Sequence, residues 1–462
     1  MNTPSPSVQS VPAQSYAQHS SAIFRLGLPL ALSNMAQFAI HITDTLMLGR
    51  YDVTALAAAT IATTLFFVTF IVGAGFATAV TPMVAAAAEE ADDQKVRRVT
   101  RMGLWLSIIY GIVFTIPFMW SEDILLFIGQ EPEVAAAAHD YLLIAAWQMV
   151  PALLVMTLKA FFVALEKTAM ILIATIGIAL LNVVFNYALI FGNLGMPELG
   201  LQGAAIASLL GNLIGLAVLT VYALRATPQF KLLQNFHKPD REYMARVYAL
   251  GWPIGLTSLA EGGLFSATAV MMGWIGTIEL AAHGIAIQLA SLTFMVHLAL
   301  SQAATVRAGR ALGRRDEVAL RRGGAAAIFM SLVFAAVTMI GFWGFPEFLI
   351  ALFLDSDEPQ RVDLIAVGVG LLFMAGLFQI VDALQVMALG LLRGVLDTTV
   401  PMIMATVSYW VIGMPVAYLL AFPLGMGGVG LWLGLVVGLT VAAVLLFWRF
   451  WWRSVFIDRV AP

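Results

Sequence analysis

The sequence has no cysteine and few charged residues. None of its 462 residues is Cys, and only 11% are Asp, Glu, Lys or Arg, whereas 61% are hydrophobic. The absence of cysteine excludes disulfide bonds, thiol chemistry and cysteine-ligated metal sites. A soluble domain carries about 25% charged residues, so this chain could not cover a water-facing surface. Its hydrophobic side chains are therefore expected to face lipid.

Nucleotide-binding and metal-binding motifs are also absent from the sequence. It contains no HExxH or similar metal-ligand spacing and no Gly-rich nucleotide loop of the Walker type. We therefore expect neither an enzyme nor a cofactor, and no nucleic-acid partner. Any transport would have to draw its energy from an ion gradient.

Long hydrophobic runs are what the sequence has in abundance. A membrane-spanning helix needs about 20 apolar residues, and continuous runs of this length favour helices over barrel strands. The runs predict an all-α polytopic membrane protein with twelve transmembrane helices. The predicted spans are 22–48, 54–83, 101–120, 139–165, 168–192, 200–224, 247–273, 279–305, 324–346, 364–390, 397–421 and 427–450.

The positions of Lys and Arg give this topology an orientation. If the N-terminus is cytoplasmic, every Lys and Arg except Arg50 and Arg361 falls on the cytoplasmic side. Cytoplasmic loops of membrane proteins carry such an excess of positive charge. We therefore expect a multi-pass protein of the inner (cytoplasmic) membrane with both termini in the cytoplasm.

The second half of the chain repeats the first. LGLP at Leu26–Pro29 matches LGWP at Leu250–Pro253, and the same ungapped offset of 224 positions aligns two Leu-Ala-Ala runs farther along. The offset spans six helices, so both halves have the same orientation, as in a parallel repeat about an axis along the membrane normal. The predicted divisions are a disordered tail 1–21, an N-lobe 22–224, a cytoplasmic linker 225–246, a C-lobe 247–452 and a C-terminal tail 453–462.

Three acidic residues lie inside the predicted spans, namely Asp44, Glu261 and Asp382. A charge at the bilayer centre costs about 2.5–3.5 kcal/mol on insertion scales, so such residues are functional candidates. We expect no Lys or Arg at similar depth to pair with them. Gln37 is the repeat equivalent of Glu261, which predicts that the two lobes differ chemically.

Several uncharged polar residues accompany these acids. Gln379 and Gln385 lie three residues on either side of Asp382, so the three share one helix face, which would suit either a cavity wall or hydrogen bonds between helices. Asn182 and Asn186 share a face of the fifth span and suit ion ligation and helix packing equally well. His283, in the eighth span, is a candidate ligand or a structural hydrogen-bonding group.

The sequence resembles the multidrug and toxic compound extrusion (MATE) transporters, and most closely their NorM-type branch. The segments that carry the resemblance are LGLPLALSNMAQ, TDTLMLGR, AAHGIAIQLASL, TVRAG at Thr305–Gly309 and DALQVMALGLLRG from Asp382. The resemblance implies two six-helix lobes and an antiporter that exports cationic and amphipathic drugs in exchange for sodium or protons. It also implies a monomer whose partners are small organic cations and membrane lipid.

The resemblance also implies roles for individual residues. Glu261 and Asp382 match the C-lobe acids that bind the coupling cation in NorM-type members, and would ligate the metal if the ion is Na⁺. Asp44 matches an N-lobe aspartate, and Asn182 and Asn186 match the polar pair near it. Some relatives have aspartate in the place of Asn186, so the N-lobe here departs from the family pattern.

Three other functions are possible in principle. A related lipid-linked-saccharide flippase would need a cationic cavity for pyrophosphate, whereas the buried charges predicted here are acidic. An intramembrane enzyme would need a catalytic constellation, and nothing in the spacing of Asp44, His283 and Glu261 demands one. A passive channel does not require the two-lobe repeat.

Overall fold

A computed structural model describes residues 15–355 and 359–457, and all the regular structure in these ranges is helical. Within them, twelve helices are long and apolar enough to cross a membrane. The helices are α1 (Tyr16–Tyr51), α2 (Thr54–Glu89), α3 (Asp93–Phe127), α4 (Pro132–Ala164), α5 (Thr168–Phe191), α6 (Gly200–Ala226), α7 (Arg241–Ile275), α8 (Thr277–Arg314), α9 (Glu317–Gly344), α10 (Arg361–Gly394), α11 (Thr399–Ala421) and α12 (Gly427–Ser454). The predicted all-α membrane architecture of twelve helices is confirmed.

The first helix begins earlier than predicted. The predicted tail reaches residue 21, but α1 starts at Tyr16 because Ser15 forms a capping box with Gln18. The Gln18 amide donates to the Ser15 hydroxyl at 3.3 Å, and the Ser15 amide donates to Gln18 Oε1 at 2.8 Å. Residues 15–21 are therefore not a disordered tail, and residues 1–14 lie outside the described ranges.

The connection between the two halves is shorter than predicted and is held against α3. It covers residues 227–240 rather than 225–246, because α6 continues to Ala226 and α7 begins at Arg241. Arg101 donates to the carbonyl oxygen of Asn235 at 3.0 Å, and the Trp105 indole donates to that of Phe236 at 2.8 Å. Polar residues at the end of α6 and at the start of α7 are helical, so both helices extend beyond their apolar runs.

The end of the last helix also differs from the prediction. A π-helical turn at Phe450–Ser454 extends α12 beyond residue 452, where the C-lobe was predicted to end. The side chain of Ser454 donates to Asp397 at 2.8 Å, and Arg449 donates to the same carboxylate at 2.7 Å. Residues 458–462 of the predicted C-terminal tail lie outside the described ranges.

The two six-helix lobes pack in the same way. In the N-lobe α2 packs against α4, α4 against α6 and α1 against α5, and in the C-lobe α8 packs against α10, α10 against α12 and α7 against α11. Between the lobes, α2 contacts α7, and its counterpart α8 contacts α1. A two-fold axis along the membrane normal exchanges these pairs, so the predicted parallel repeat is confirmed.

The closest contacts between the lobes lie at one end of the bundle, where α1 and α7 begin and α2 and α8 end. We call it the basic end. A Cβ added at Gly75 of α2 would lie 2.3 Å from the carbonyl oxygen of Gly251 of α7, so only glycine permits this approach. Gly313 of α8 similarly lies against the backbone of Ala86.

Ion pairs reinforce this interface at the basic end. Glu89 of α2 accepts from Arg314 of α8 at 2.7 Å and lies 3.8 Å from Arg310. Arg310 also reaches Glu166, which follows α4, at 3.2 Å. The side chains of these four residues are partly buried, so the lobes are joined at this end by charge as well as by backbone contact.

Candidate functional site

The C-lobe brings four polar side chains together from three helices. Glu261 comes from α7, Asp382 and Gln385 from α10, and Tyr409 from α11. Gln385 lies beside Glu261 and donates to the Tyr409 hydroxyl at 2.5 Å. Glu261 and Asp382 are close enough for their charges to repel each other. The structure thus places Glu261 beside Asp382 and Gln385 and adds Tyr409, which was not among the predicted site residues.

The burial of this cluster differs from one residue to another. Asp382 is 2% exposed and Gln385 and Tyr409 are fully buried, whereas Glu261 is half-buried. The Oε1 atoms of Glu261 and Gln385 are buried and have no hydrogen-bond partner among residues 15–355 and 359–457. Buried oxygen atoms without donors are costly and invite a proton or a cation.

A local irregularity of α11 places Tyr409 in this site. Residues Ser408–Gly413 form a π-helical turn inside the helix, an irregularity that is frequent at functional sites. Tyr409 then points into the lobe, whereas Trp410 is exposed and donates its indole N–H at 3.0 Å to the carbonyl oxygen of Ala260. That carbonyl directly precedes Glu261, so α11 holds α7 beside the acidic side chain.

The chemistry of the cluster fits a hard cation or a proton. Carboxylate, amide and hydroxyl oxygens are the donor atoms that hard cations prefer. Within residues 15–355 and 359–457, no group of three or more His, Cys, Asp or Glu side chains could hold a metal ion. A sodium ion between Glu261 and Asp382 would therefore need the oxygens of Gln385 and Tyr409 as well.

Arg393 is an unexpected cation near this cluster. The sequence placed it after the tenth span and predicted no basic residue at the depth of the acids, but α10 continues to Gly394 and the charge of Arg393 acts on Glu261. Helical side chains point toward the N-terminus of their helix, so Arg393 extends back along α10 into the lobe. Nothing in the spacing of the polar residues pointed to Arg393 or Tyr409.

Two other candidates of the C-lobe make hydrogen bonds between helices. Gln379 is fully buried and donates to the carbonyl oxygen of Ala290 in α8 at 3.4 Å. His283 accepts a hydrogen bond from the Trp432 indole of α12 at 3.2 Å. The predicted stripe of Gln379, Asp382 and Gln385 is therefore buried between helices and is not an open cavity wall, because its amides reach different neighbouring helices.

The N-lobe has its own polar cluster around Asp44. Asn186 donates through Nδ2 to Asp44 Oδ1 at 2.5 Å and to Asn182 Oδ1 at 3.1 Å. Both asparagines are buried and Asp44 is half-buried. The Oδ1 atom of Asn186 has no hydrogen-bond partner in the part of the chain that the structure describes. Tyr141 of α4 is buried and lies close enough to Asp44 to interact with its charge. The structure therefore brings Asp44, Asn182 and Asn186 into one group.

A second group of the N-lobe contains a lysine. Gln37 is exposed near the middle of α1, and its Oε1 accepts a hydrogen bond from Lys159 Nζ of α4 at 3.4 Å. The sequence placed Lys159 at the end of the fourth span, outside the depth of the acids. Its side chain instead extends back along α4 to Gln37, the repeat equivalent of Glu261.

Comparisons with known proteins agree with this fold. The chain is 48% identical over 440 residues to a protein of Rhizobium meliloti (strain 1021) named "Probable multidrug resistance protein NorM", and the match covers 94% of each chain. A protein of the same name from Agrobacterium fabrum (strain C58) is 42% identical, also over 94% of each chain.

Solved structures of MATE transporters have the same fold. The crystal structure of the eukaryotic MATE transporter AtDTX14 superposes with a TM-score of 0.85 at 21% identity, covering 96% of this chain and 100% of that one. An outward-facing multidrug resistance MATE family transporter of the MOP superfamily superposes with a TM-score of 0.83 at 21% identity, covering 95% and 97%.

A family model matches each lobe of the chain separately. The MatE model covers residues 29–188 and again residues 253–419. The two matches begin 224 positions apart (Pro29 to Pro253), the same offset as the internal repeat. Together they cover more than half of the chain, and the curated relatives match it almost from end to end. The chain therefore belongs to the MatE family of membrane transporters.

Proposed function

We propose that this transporter is a secondary active multidrug efflux antiporter that exports cationic and amphipathic organic compounds in exchange for Na⁺ or H⁺. Its family and its curated relatives support multidrug efflux by a transporter rather than an enzyme. The observation that carries the exchange mechanism is the C-lobe cluster, where Glu261 and Asp382 lie together and Glu261 Oε1 lacks a hydrogen-bond donor.

Competition for the same negative charge couples the two fluxes. A proton or a sodium ion that neutralises Glu261 and Asp382 removes the attraction for a cationic substrate, which is then released. Departure of the ion restores the charge, and the next substrate can bind. One charge that crosses 100 mV gains about 2.3 kcal/mol, which is enough for roughly a fiftyfold concentration ratio. Asp44, Asn182 and Asn186 form a second, N-lobe candidate for ion binding.

The orientation that we propose places the basic end and both termini in the cytoplasm, with the protein in the inner membrane. The Lys and Arg distribution supports this orientation. The glycine contacts and the ion pairs of Glu89 close the basic end, which is what an outward-facing state requires. Because one chain supplies both lobes, we propose that a monomer in the lipid bilayer is sufficient for transport, without a cofactor or nucleic-acid partner.

The flippase alternative is not favoured. Pyrophosphate recognition would need several cationic groups in the central cavity. Glu261 and Asp382 give the C-lobe an acidic site, and the multidrug names of the curated relatives agree with efflux of organic compounds.

The proposed function is tested by removing both C-lobe charges. We expect Glu261→Gln combined with Asp382→Asn to lower efflux of a fluorescent organic cation from vesicles at least tenfold, because neither a cation nor a proton can then exchange at the cluster. Efflux is measured with an imposed sodium gradient and, separately, with an imposed pH gradient, which also identifies the coupling ion.

A matched control makes the same two chemical changes at exposed positions. Glu122→Gln combined with Asp123→Asn alters two exposed side chains near the end of α3, outside the cluster, and should leave efflux unchanged. Normal efflux by the variant at positions 261 and 382 would refute the proposed coupling site.

A further inference from the structure

Lys159 gives the N-lobe a positive charge on the pair of helices that carries negative charges in the C-lobe. Gln37, whose Oε1 accepts a hydrogen bond from the Lys159 ammonium, is the repeat equivalent of Glu261. Helices α1 and α4 of the N-lobe correspond to α7 and α10 of the C-lobe. In the C-lobe these helices present Glu261 and Asp382, whereas in the N-lobe they present Gln37 and Lys159. The same pair of helices therefore carries a positive charge in the N-lobe and negative charges in the C-lobe. The turns that end α4 and α10 match at an offset of 230, so Lys159 corresponds to Leu389 and lies nearer the end of its helix than Asp382 does.

Within the described part of the chain, the Lys159 ammonium has no acidic partner. Among the residues that the structure describes, no salt bridge within 4 Å involves it, and its hydrogen bond to Gln37 is long at 3.4 Å. An ammonium group has three donors, so two remain for another acceptor. A basic side chain kept inside a membrane bundle without a counter-charge is costly and marks a binding path.

The side chains of Lys159 and its acceptor Gln37 are not sealed inside the lobe. Gln37 is exposed although it lies about midway between Arg25 and Arg50 along α1, and Lys159 itself is only half-buried. A polar side chain exposed at that depth faces water rather than hydrocarbon, because lipid cannot satisfy its hydrogen bonds. A dissolved ligand can therefore reach the ammonium.

We propose that Lys159, positioned by Gln37, binds the carboxylate of zwitterionic organic substrates. The proposal rests on the proposed efflux function and names a substrate class for it. A simple organic cation gains nothing from Lys159 and is attracted only by the acids of the C-lobe. A compound with both an amine and a carboxylate finds a partner for each charge, and a charge-assisted hydrogen bond to its carboxylate is about twice as strong as a neutral one.

Two dyes with one scaffold test the proposal. Rhodamine 110 carries a free carboxylate, and rhodamine 123 is its methyl ester and a plain cation. In vesicles, we expect Lys159→Met to raise the half-saturating concentration of rhodamine 110 about tenfold or more, the loss typical of a hydrogen bond to a charged group. We expect transport of rhodamine 123 to change less than twofold, and Lys159→Arg to preserve transport of both dyes.

Lys238→Met is the control, since it removes the same charge at an exposed position of the linker and should affect neither dye. Equal losses of both dyes in Lys159→Met would indicate a structural role and overturn the proposal, as would unchanged transport of rhodamine 110. Wild-type protein that exports rhodamine 123 but not rhodamine 110 would overturn this inference alone. Wild-type protein that exports neither dye would refute the efflux function on which it rests.

Discussion

Among single residues, Tyr409 determines how the amide of Gln385 is held. Gln385 donates to the Tyr409 hydroxyl and lies beside Glu261, so the tyrosine holds an amide next to the acid. Both Gln385 and Tyr409 are fully buried, where an amide that loses its partner cannot turn to water. A buried polar group without a partner costs about 1–3 kcal/mol.

Removal of the Tyr409 hydroxyl should therefore weaken ion binding without unfolding the lobe. We expect Tyr409→Phe to raise the half-saturating concentration of the coupling ion about fivefold to tenfold, because Gln385 is no longer fixed beside Glu261. Ion-dependent efflux from vesicles measures the change. Tyr418→Phe removes the same hydroxyl from an exposed tyrosine of α11 and should have no effect. Equal ion dependence in wild type and Tyr409→Phe would argue against a role for this hydrogen bond.

The site was predictable from the sequence in part. Acids within apolar runs identified Asp44, Glu261 and Asp382, and helical spacing paired Asn182 with Asn186. Spacing along a chain cannot tell which helices meet, so it gave no reason to join Gln385 to Tyr409.

The basic residues near the site were placed wrongly for another reason. Lys159 and Arg393 are near the ends of hydrophobic runs, and the sequence therefore assigned them to the membrane surface. Long side chains of a helix extend toward its N-terminus, which for α4 and α10 means back into the bundle. The direction of a side chain, rather than its position in the sequence, decided their depth.

Among the helices, the α3–α7 contact shows how an end of a helix joins the lobes. Asp240 caps α7 by accepting from the Tyr243 amide at 3.3 Å, and it accepts from Arg98 Nε of α3 at 2.5 Å. The Arg98 guanidinium also lies over the Tyr243 ring, 4.2 Å from its centroid. Asp240 thus caps the N-terminus of the C-lobe helix α7 and also binds Arg98 of the N-lobe helix α3.

This contact should stabilise the protein in a pH-dependent way. Asp240 precedes the spanning segment, and the hydrogen bond from Arg98 lowers its pKa below the usual value of about 3.9. The resulting stabilisation is complete above that usual value and is lost as the pH falls through the lowered native pKa. We expect Asp240→Asn, which keeps the cap, to lower the Tm by about 1–2 °C at pH 6 and by less at pH 3.

Thermal unfolding of the purified protein between pH 6 and pH 3 measures this difference. Asp92→Asn is the matched control, because Asp92 caps α3 by accepting from the Lys95 amide at 2.8 Å and forms no ion pair among the described residues. A Tm difference for Asp240→Asn that stays constant down to pH 3 would contradict the role assigned to the Arg98 ion pair.

The helices themselves were predicted better than their ends. Twelve apolar runs gave the correct number of spanning helices within the described ranges, because only the hydrocarbon core imposes apolar side chains. Helices α1 and α7 continue beyond that core through polar residues whose capping groups, Ser15 and Asp240, satisfy the free amides. Hydrophobicity does not register such extensions, so the predicted tail and linker were too long.

For the whole molecule, the closed basic end implies that transport requires the lobes to separate there. A Cβ added at Gly309 of α8 would lie 3.2 Å from Cβ of Ala85 of α2, across the interface between the lobes. Cβ atoms in disulfides lie about 3.5–4.5 Å apart, so cysteines at these two positions need a shift of only a few tenths of an ångström. The chain has no cysteine of its own, so no native thiol competes with an introduced pair.

We expect oxidation of the Ala85→Cys/Gly309→Cys variant to reduce efflux at least tenfold and reduction to restore it, because the disulfide prevents the basic end from opening. Each single variant should keep its efflux under the same oxidation. Val80→Cys/Gly103→Cys is the matched pair within the N-lobe, where the corresponding Cβ atoms would be 3.8 Å apart and a disulfide should leave transport unaffected. Full efflux by the oxidised, cross-linked interlobe pair would show that transport does not require the lobes to separate at the basic end.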